Sequence, residues 1–187
     1  HQIDEHTWFG TGHLMANESL YLVEGETKAI LIDAGTKIKD LDKLVASITD
    51  KPVTLVATHV HPDHIGGNHF FDEVYMSPYD MPYVEMFTAP ENLDKRPVVH
   101  PVREGNVIDL GGLHVEVYEL PGHTPGELCL LLVEEQILFP GDGINHHLWM
   151  QLEGCSSLEE YAKSLERLDF LKKKAKYILH GHTRELE

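Results

Sequence analysis

Four times along this chain a short apolar run ends in a turn that delivers a histidine or an aspartate. Val53-Thr54-Leu55-Val56-Ala57 leads into His59-Val60-His61-Pro62-Asp63-His64, and residues 115–120 lead into Pro121-Gly122-His123-Thr124-Pro125-Gly126. Residues 137–139 lead into Gly141-Asp142, and residues 177–179 into Gly181-His182. Short apolar runs bounded by Gly and Pro read as buried strands. Side chains at the ends of strands along one sheet edge can converge although they lie far apart in sequence. Glycine beside each later histidine or aspartate permits close backbone approach. Any one such turn is commonplace, but four together are a strong signal.

The first turn is the densest. Three imidazoles and a carboxylate within six residues are the ligands that borderline divalent metals prefer. Pro62 biases His61 towards extended backbone, so the cluster is expected on a strand-end turn. In extended chain His59 and His61 point to one side, while the turn carries Asp63 and His64 to a neighbouring one. That layout can feed two adjacent metal ions. A solvated histidine-rich loop is the plainer reading of this run taken alone.

The first sixty residues read strand, strand, strand, helix, strand. Leu20-Tyr21-Leu22-Val23 and Ala29-Ile30-Leu31-Ile32 are apolar runs, Asp33-Ala34-Gly35 ends the third strand, and residues 37–48 carry Ile38, Leu41, Leu44, Val45 and Ile48 at helical spacing. A short helix is expected over 65–71 and a strand over 74–76. Residues 78–105, with five prolines and the cluster Tyr79, Met81, Tyr83, Met86, Phe87, read either as a lid or pocket wall or as a helix packed on the core. Strands are expected over 107–110, 113–120, 128–133 and 136–139. Ser157 with Glu160 then makes a capping box, and Leu158, Tyr161, Ala162, Leu165, Leu168 and Leu171 form a helix's apolar face. Many short strands in each half predict an α/β fold of two packed sheets flanked by helices.

At 187 residues the chain is expected to be one domain spanning 1–187. Its net charge is −16 and its longest basic run is Lys172-Lys173-Lys174. Such a field repels nucleic acid and anionic membranes, so neither is an expected partner. Two cysteines, Cys129 in an apolar strand and Cys155 in a loop, suggest neither a thiolate zinc site nor a redox motif. A reducing compartment fits. With no apolar run of membrane-spanning length and no signal-peptide pattern after His1, a cytoplasmic location is expected.

At these motifs the chain resembles the metallo-β-lactamase fold superfamily of metallohydrolases over nearly its whole length. The resemblance rests on Leu31-Ile32-Asp33-Ala34-Gly35, Thr58-His59-Val60-His61-Pro62-Asp63-His64-Ile65-Gly66-Gly67, residues 121–126, Phe139-Pro140-Gly141-Asp142 and Gly181-His182. It implies an αβ/βα four-layer sandwich, two mixed β-sheets flanked by helices, with a two-metal centre at one end. Carried over position by position, His59, His61 and His123 would hold one ion, Asp63, His64 and His182 the other, and Asp142 would bridge both. The implied cofactors are two divalent ions, zinc first, with iron or manganese as alternatives. Two such ions share a water, lower its pKa and polarise the electrophile. Asp63, inside the cluster, is the candidate to orient that nucleophile or take its proton.

Asp142 resembles the bridging residue of the glyoxalase II-like, lactonase-like and phosphodiesterase-like branches, and argues against the β-lactamases that place cysteine there. Glyoxalase II proper carries a helical C-terminal region, whereas this chain ends five residues after His182. Glu127 stands where many relatives have serine, and His180 where proline is frequent. The expected function is hydrolysis of an ester-like bond in a small molecule: carboxylic ester, thioester or lactone, then phosphodiester. The rival is a mono-iron oxidoreductase of the persulfide dioxygenase type, and a non-catalytic binding module comes third. Asp33 reads either as a support for the ligand loop or simply as the end of a strand. His146, His147 and Trp149 are candidate substrate contacts, or a loop that merely packs Trp149. His6, His13, His69, His100 and His114 read as surface or loop residues. Residues 78–105 and 143–156 carry no motif that names a substrate.

Overall fold

The computed structural model describes residues 1–12 and 16–182. Two sheets form its centre. The first has the order β1 (Thr7–Thr11), β2 (Ser19–Glu24), β3 (Ala29–Ile32), β4 (Val53–Val56), β5 (Glu73–Met76), β6 (Val98–Pro101). Its first three strands pair antiparallel and β3 to β6 run parallel. The second has the order β11 (Tyr177–Ile178), β10 (Ile137–Phe139), β9 (Leu128–Leu132), β8 (His114–Glu119), β7 (Val107–Asp109), with only β10 and β11 parallel. Both sheets are mixed, as expected.

Alternation along the strands explains why they stack. In β2 and β3, Tyr21, Val23, Ile30 and Ile32 point inward to meet Val115, Val117, Leu130, Leu132 and Phe139 of the second sheet. Their neighbours Leu22 and Leu31 point outward, against Leu41, Val45, Ile65 and Val84. Cys129, Leu131 and Leu138 likewise turn away from the inter-sheet core towards Leu168 and Leu171. Strands covered on both faces read as continuous apolar runs rather than alternating ones. Three apolar layers between four structural layers make the αβ/βα sandwich.

The helices are shorter than their sequence patterns. Over 37–48 only Leu41–Ala46 is helical (α1), because Asp40 takes a left-handed φ of 52° and delays the start. Leu44 and Ile48 of that pattern are exposed. The helix expected over 65–71 is split: α2 (Pro62–Ile65) begins inside the histidine run with Pro62 in its first turn, and a 3-10 turn covers Asn68–Phe70. Pro suits a first helical turn, where its missing N–H costs nothing. Residues 78–105 combine both expected readings. Their short helix α3 (Val84–Phe87) buries Val84 in the core and leaves Met86 exposed, and strand β6 closes the segment.

Helix α4 (Leu158–Arg167) starts on the expected capping box, Glu160 N donating to Ser157 Oγ and Ser157 N to Glu160 Oε2. Leu158 does not join its apolar face and is 70% exposed. It occupies the first helical position, before the helix reaches the sheet. Among the described residues no helix is long and apolar enough to cross a membrane.

Candidate metal centre

The parallel strands β3, β4 and β5 end on one edge of the first sheet, and β8, β10 and β11 end together on the second. Loops beyond such carboxyl ends are where α/β folds assemble their sites. The four ligand-bearing turns meet there. Donor atoms of His59, His61 and His123 lie within 4.8 Å of one another, as do those of Asp63, His64 and His182, and those of His59, His64 and Asp142. Asp142 sits between the first two groups. Its Oδ2 is 3.0 Å from His182 Nε2 and 3.5 Å from His123 Nε2, and its Oδ1 is 3.6 Å from His64 Nε2.

Each imidazole is aimed by what its outer nitrogen meets. His64 Nδ1 donates to Asp33 Oδ2 at 2.8 Å, His123 Nδ1 to the Trp149 carbonyl at 2.7 Å, and His182 Nδ1 to the Ala16 carbonyl at 2.9 Å. A carbonyl or carboxylate can only accept, so Nδ1 carries the proton and Nε2 turns inward as a lone pair. His61 is the exception, presenting Nδ1 to His123 Nε2 at 2.9 Å. The inward Nε2 atoms of His59 and His64 are buried and have no hydrogen-bond partner. An unpaired buried polar atom costs about 1–3 kcal/mol. Two such atoms, among converging imidazoles and carboxylates, are what borderline divalent cations satisfy.

Three buried carboxylates hold the loops. Asp33, with a left-handed φ of 62°, accepts from Thr58 N at 2.7 Å and Thr58 Oγ1 at 2.8 Å as well as from His64. It therefore ends β3 and supports the ligand turn at once. Asp80 accepts from Val60 N, Thr124 Oγ1 and Gly126 N, clamping the His59 turn to the His123 turn across the two sheets. Glu127 accepts from Asp142 N at 2.9 Å and Gly143 N at 3.2 Å, and its Oε1 is 3.5 Å from His59 Nδ1. Nothing in the sequence singles out Asp80. Glu127 stands out as a charge opening an apolar strand, at a position where serine is frequent among relatives. Helix α4 adds two ties, Ser164 Oγ to the Pro121 carbonyl and Tyr161 Oη to the Gly143 carbonyl. Gly181 admits no side chain, since a Cβ would collide with Asp142 and His64.

Electrostatics follow from this packing. Burial and neighbouring imidazoles hold His59 well below the usual histidine range, and burial with His123 beside it lowers His61 to about 4. Burial also lowers His123. Burial opposes charge on His64, but Asp33 and Asp142 overcome it and raise that imidazole. Burial likewise opposes charge on Asp142, yet His64, His182 and His123 pull its carboxyl below the ordinary range. Burial raises Asp80 and Glu127.

A cavity of about 1040 Å³ opens over the cluster, reaching His61, Asp63, His123, Asp142 and His182. Of the candidate substrate contacts, His147 and Trp149 line it, and so does Asn145, which the sequence did not suggest. His146 does not; its ring packs on His180 at 5.1 Å. Among the other histidines, His69 bonds the Gly66 carbonyl, His100 stacks on Tyr75 and His114 pairs with Glu134. His13 lies outside the described residues. Cys129 is buried in the core, as expected, while Cys155 Sγ contacts the His123 carbonyl.

Comparison with known proteins identifies the family. An acyl-coenzyme A thioesterase of Gallus gallus is 30% identical over 182 residues, covering 80% of this chain and 66% of its own length. A hydroxyacylglutathione hydrolase of Hyphomonas neptunium is 29% identical, with 87% of this chain and 62% of that protein covered. The chain thus spans less than two thirds of these curated relatives. A metallo-beta-lactamase from Pontibacter korlensis superposes with a TM-score of 0.80 at 22% identity, over 98% of this chain and 90% of that one. A protein crystallised in a di-iron-bound form superposes with a TM-score of 0.73 at 28% identity, over 94% and 92%. The profile of the metallo-beta-lactamase superfamily matches residues 17–182. The chain belongs to the metallo-β-lactamase superfamily.

Proposed function

We propose that the protein is a metal-dependent hydrolase with a two-metal centre, cleaving a carboxylic ester, thioester or lactone in a small molecule. The observation that carries this reading is Asp142, whose Oδ2 lies 3.5 Å from His123 Nε2 of one ligand-type triplet and 3.0 Å from His182 Nε2 of the other, with Oδ1 3.6 Å from His64 Nε2. His59, His61 and His123 would hold one ion, Asp63, His64 and His182 the other, and Asp142 both. When bound, the pair supplies a water of near-neutral pKa and an electrophile-polarising charge. Asp63 lines the cavity with its Oδ2 3.5 Å from His182 Nε2, placed to orient that water and take its proton at a carboxylate oxygen. Asp33 and the Trp149 and Ala16 carbonyls keep His64, His123 and His182 in the tautomer that presents Nε2. The apolar cavity wall limits water around the reacting bond.

The acyl-coenzyme A thioesterase among the relatives supports trying thioesters first. We further assign residues 1–187 to one domain and the protein, with its free thiols Cys129 and Cys155, to the reducing cytoplasm. Metal analysis together with a panel of thioester, ester, lactone and phosphodiester substrates tests the reading. Two ions per chain with acyl-bond hydrolysis are expected. One iron per chain with oxygen consumption would overturn it in favour of the oxidoreductase.

A further inference from the structure

The cavity over the candidate centre has two unlike walls, and each is anchored to a different part of the cluster. On one side Phe87 stands edge-on to His61, with ring centroids 5.3 Å apart. Met86 follows on the same short helix, and Trp149, whose carbonyl holds His123, also lines the cavity. Next to Asp142, by contrast, Asn145 Nδ2 lies 3.5 Å from Asp142 Oδ1, and His147 N bonds Asn145 Oδ1. An apolar wall thus begins at the His61 and His123 imidazoles, and a polar wall at Asp142.

Met86 and Trp149 are 73% and 57% exposed. Large apolar side chains left open at a cavity are poised to take apolar ligand surface out of water. A charged group pressed against them would lose hydration without gaining a partner. Glu153, which also lines the cavity, adds negative charge to it and so opposes an anion within it.

From this asymmetry we infer that the substrate's acyl half is a neutral aliphatic chain lying along Phe87, Met86 and Trp149, with its leaving group towards Asn145 and His147. The inference rests on the acyl-hydrolase reading and adds to it the character and direction of the substrate. A chain of this kind reaches the site equally as a simple ester, a lactone or a thioester of a larger carrier, since the carrier lies on the polar side.

The test uses metal-loaded protein and neutral esters of one alcohol, from acetyl to decanoyl. kcat/KM is expected to rise about fourfold for each methylene the wall covers. A carboxylate at the far end of the decanoyl chain should lower it at least about tenfold. Met86→Ser, at an exposed position that folding tolerates, should cut the decanoyl-to-acetyl ratio about tenfold. Asn145→Ala should instead change the ranking of leaving groups at constant acyl chain. A second readout needs no turnover: methyl nonyl ketone should bind by calorimetry more tightly than methyl ethyl ketone, and Met86→Ser should narrow the difference about tenfold. Acetyl hydrolysis with no chain-length gain overturns the inference and leaves the hydrolase reading standing. Ketone discrimination without hydrolysis of any acyl bond supports the apolar wall and sinks the hydrolase reading. Met86→Ser altering leaving-group ranking rather than acyl preference reverses the proposed direction and refutes it.

Discussion

The two sheets supply the candidate centre in unlike ways. The first contributes four of the seven ligand-type residues from the six-residue run 59–64, shaped by one extended segment and the short helix α2 that Pro62 opens. The second contributes one residue from each of three separate turns, His123, Asp142 and His182, after β8, β10 and β11. Local backbone geometry sets the first group, since neighbours in a tight turn cannot move far apart. The second group depends on long-range ties: Glu127 to Asp142, the clamp of Asp80 on the 122–126 turn, and helix α4 to both loops. A compact run is robust by covalent connection; a dispersed set needs buried acceptors to hold its place.

Changes behind the dispersed half should therefore be the more damaging, and the largest effect is expected at Asp142. Asp142→Ala is expected to lose metal and hydrolysis together, beyond the roughly 10–100-fold that losing an outer partner costs. Unchanged two-ion content by elemental analysis would refute its place between the two triplets.

Glu127 comes next. Glu127→Ala removes the carboxylate that accepts from Asp142 N, while Gly143 N keeps the Pro140 carbonyl, and should weaken metal affinity about 10–100-fold in chelator competition. Glu127→Gln keeps an acceptor oxygen and should restore most of it. Equal loss in both variants would show that carboxylate charge, rather than the loop's hydrogen bonds, matters.

The smallest effect separates site from scaffold. Leu168→Ala, in the buried layer under α4, should cost about 2–5 kcal/mol in denaturant unfolding. Leu158→Ala, on the same helix but exposed, should stay within about 0.5 kcal/mol. A large loss at Leu158 would mean that the exposed first turn of α4 carries stability the dispersed turns need.

The unequal sheets also explain what could be read in advance. The run 59–64, the capping box at Ser157 and the buried strands β2, β3 and β9 announce themselves, because each depends on residues close in sequence. The unbroken apolar runs 20–23 and 128–132 are local patterns that suit strands buried on both faces. The helix ends differ from the apolar spacing over 37–48 and 65–71 because a left-handed Asp40 and a first-turn Pro62 override it. His146 packs on His180 while its immediate neighbours Asn145 and His147 line the cavity, because adjacent loop residues can face different ways.

From residue order alone came the donor types, the turns that bear them and the two-sheet frame, since metal-ligand chemistry and strand periodicity are written in side-chain identity and spacing. Tertiary structure decided which nitrogen of each imidazole faces the centre, because that depends on acceptors as distant as Ala16 from His182 and Trp149 from His123. It also brought Asp80 and Glu127 beneath the site and set Phe87 against His61. Those contacts join residues whose separation in the chain carries no signal, and only the packing of one sheet on the other makes them neighbours.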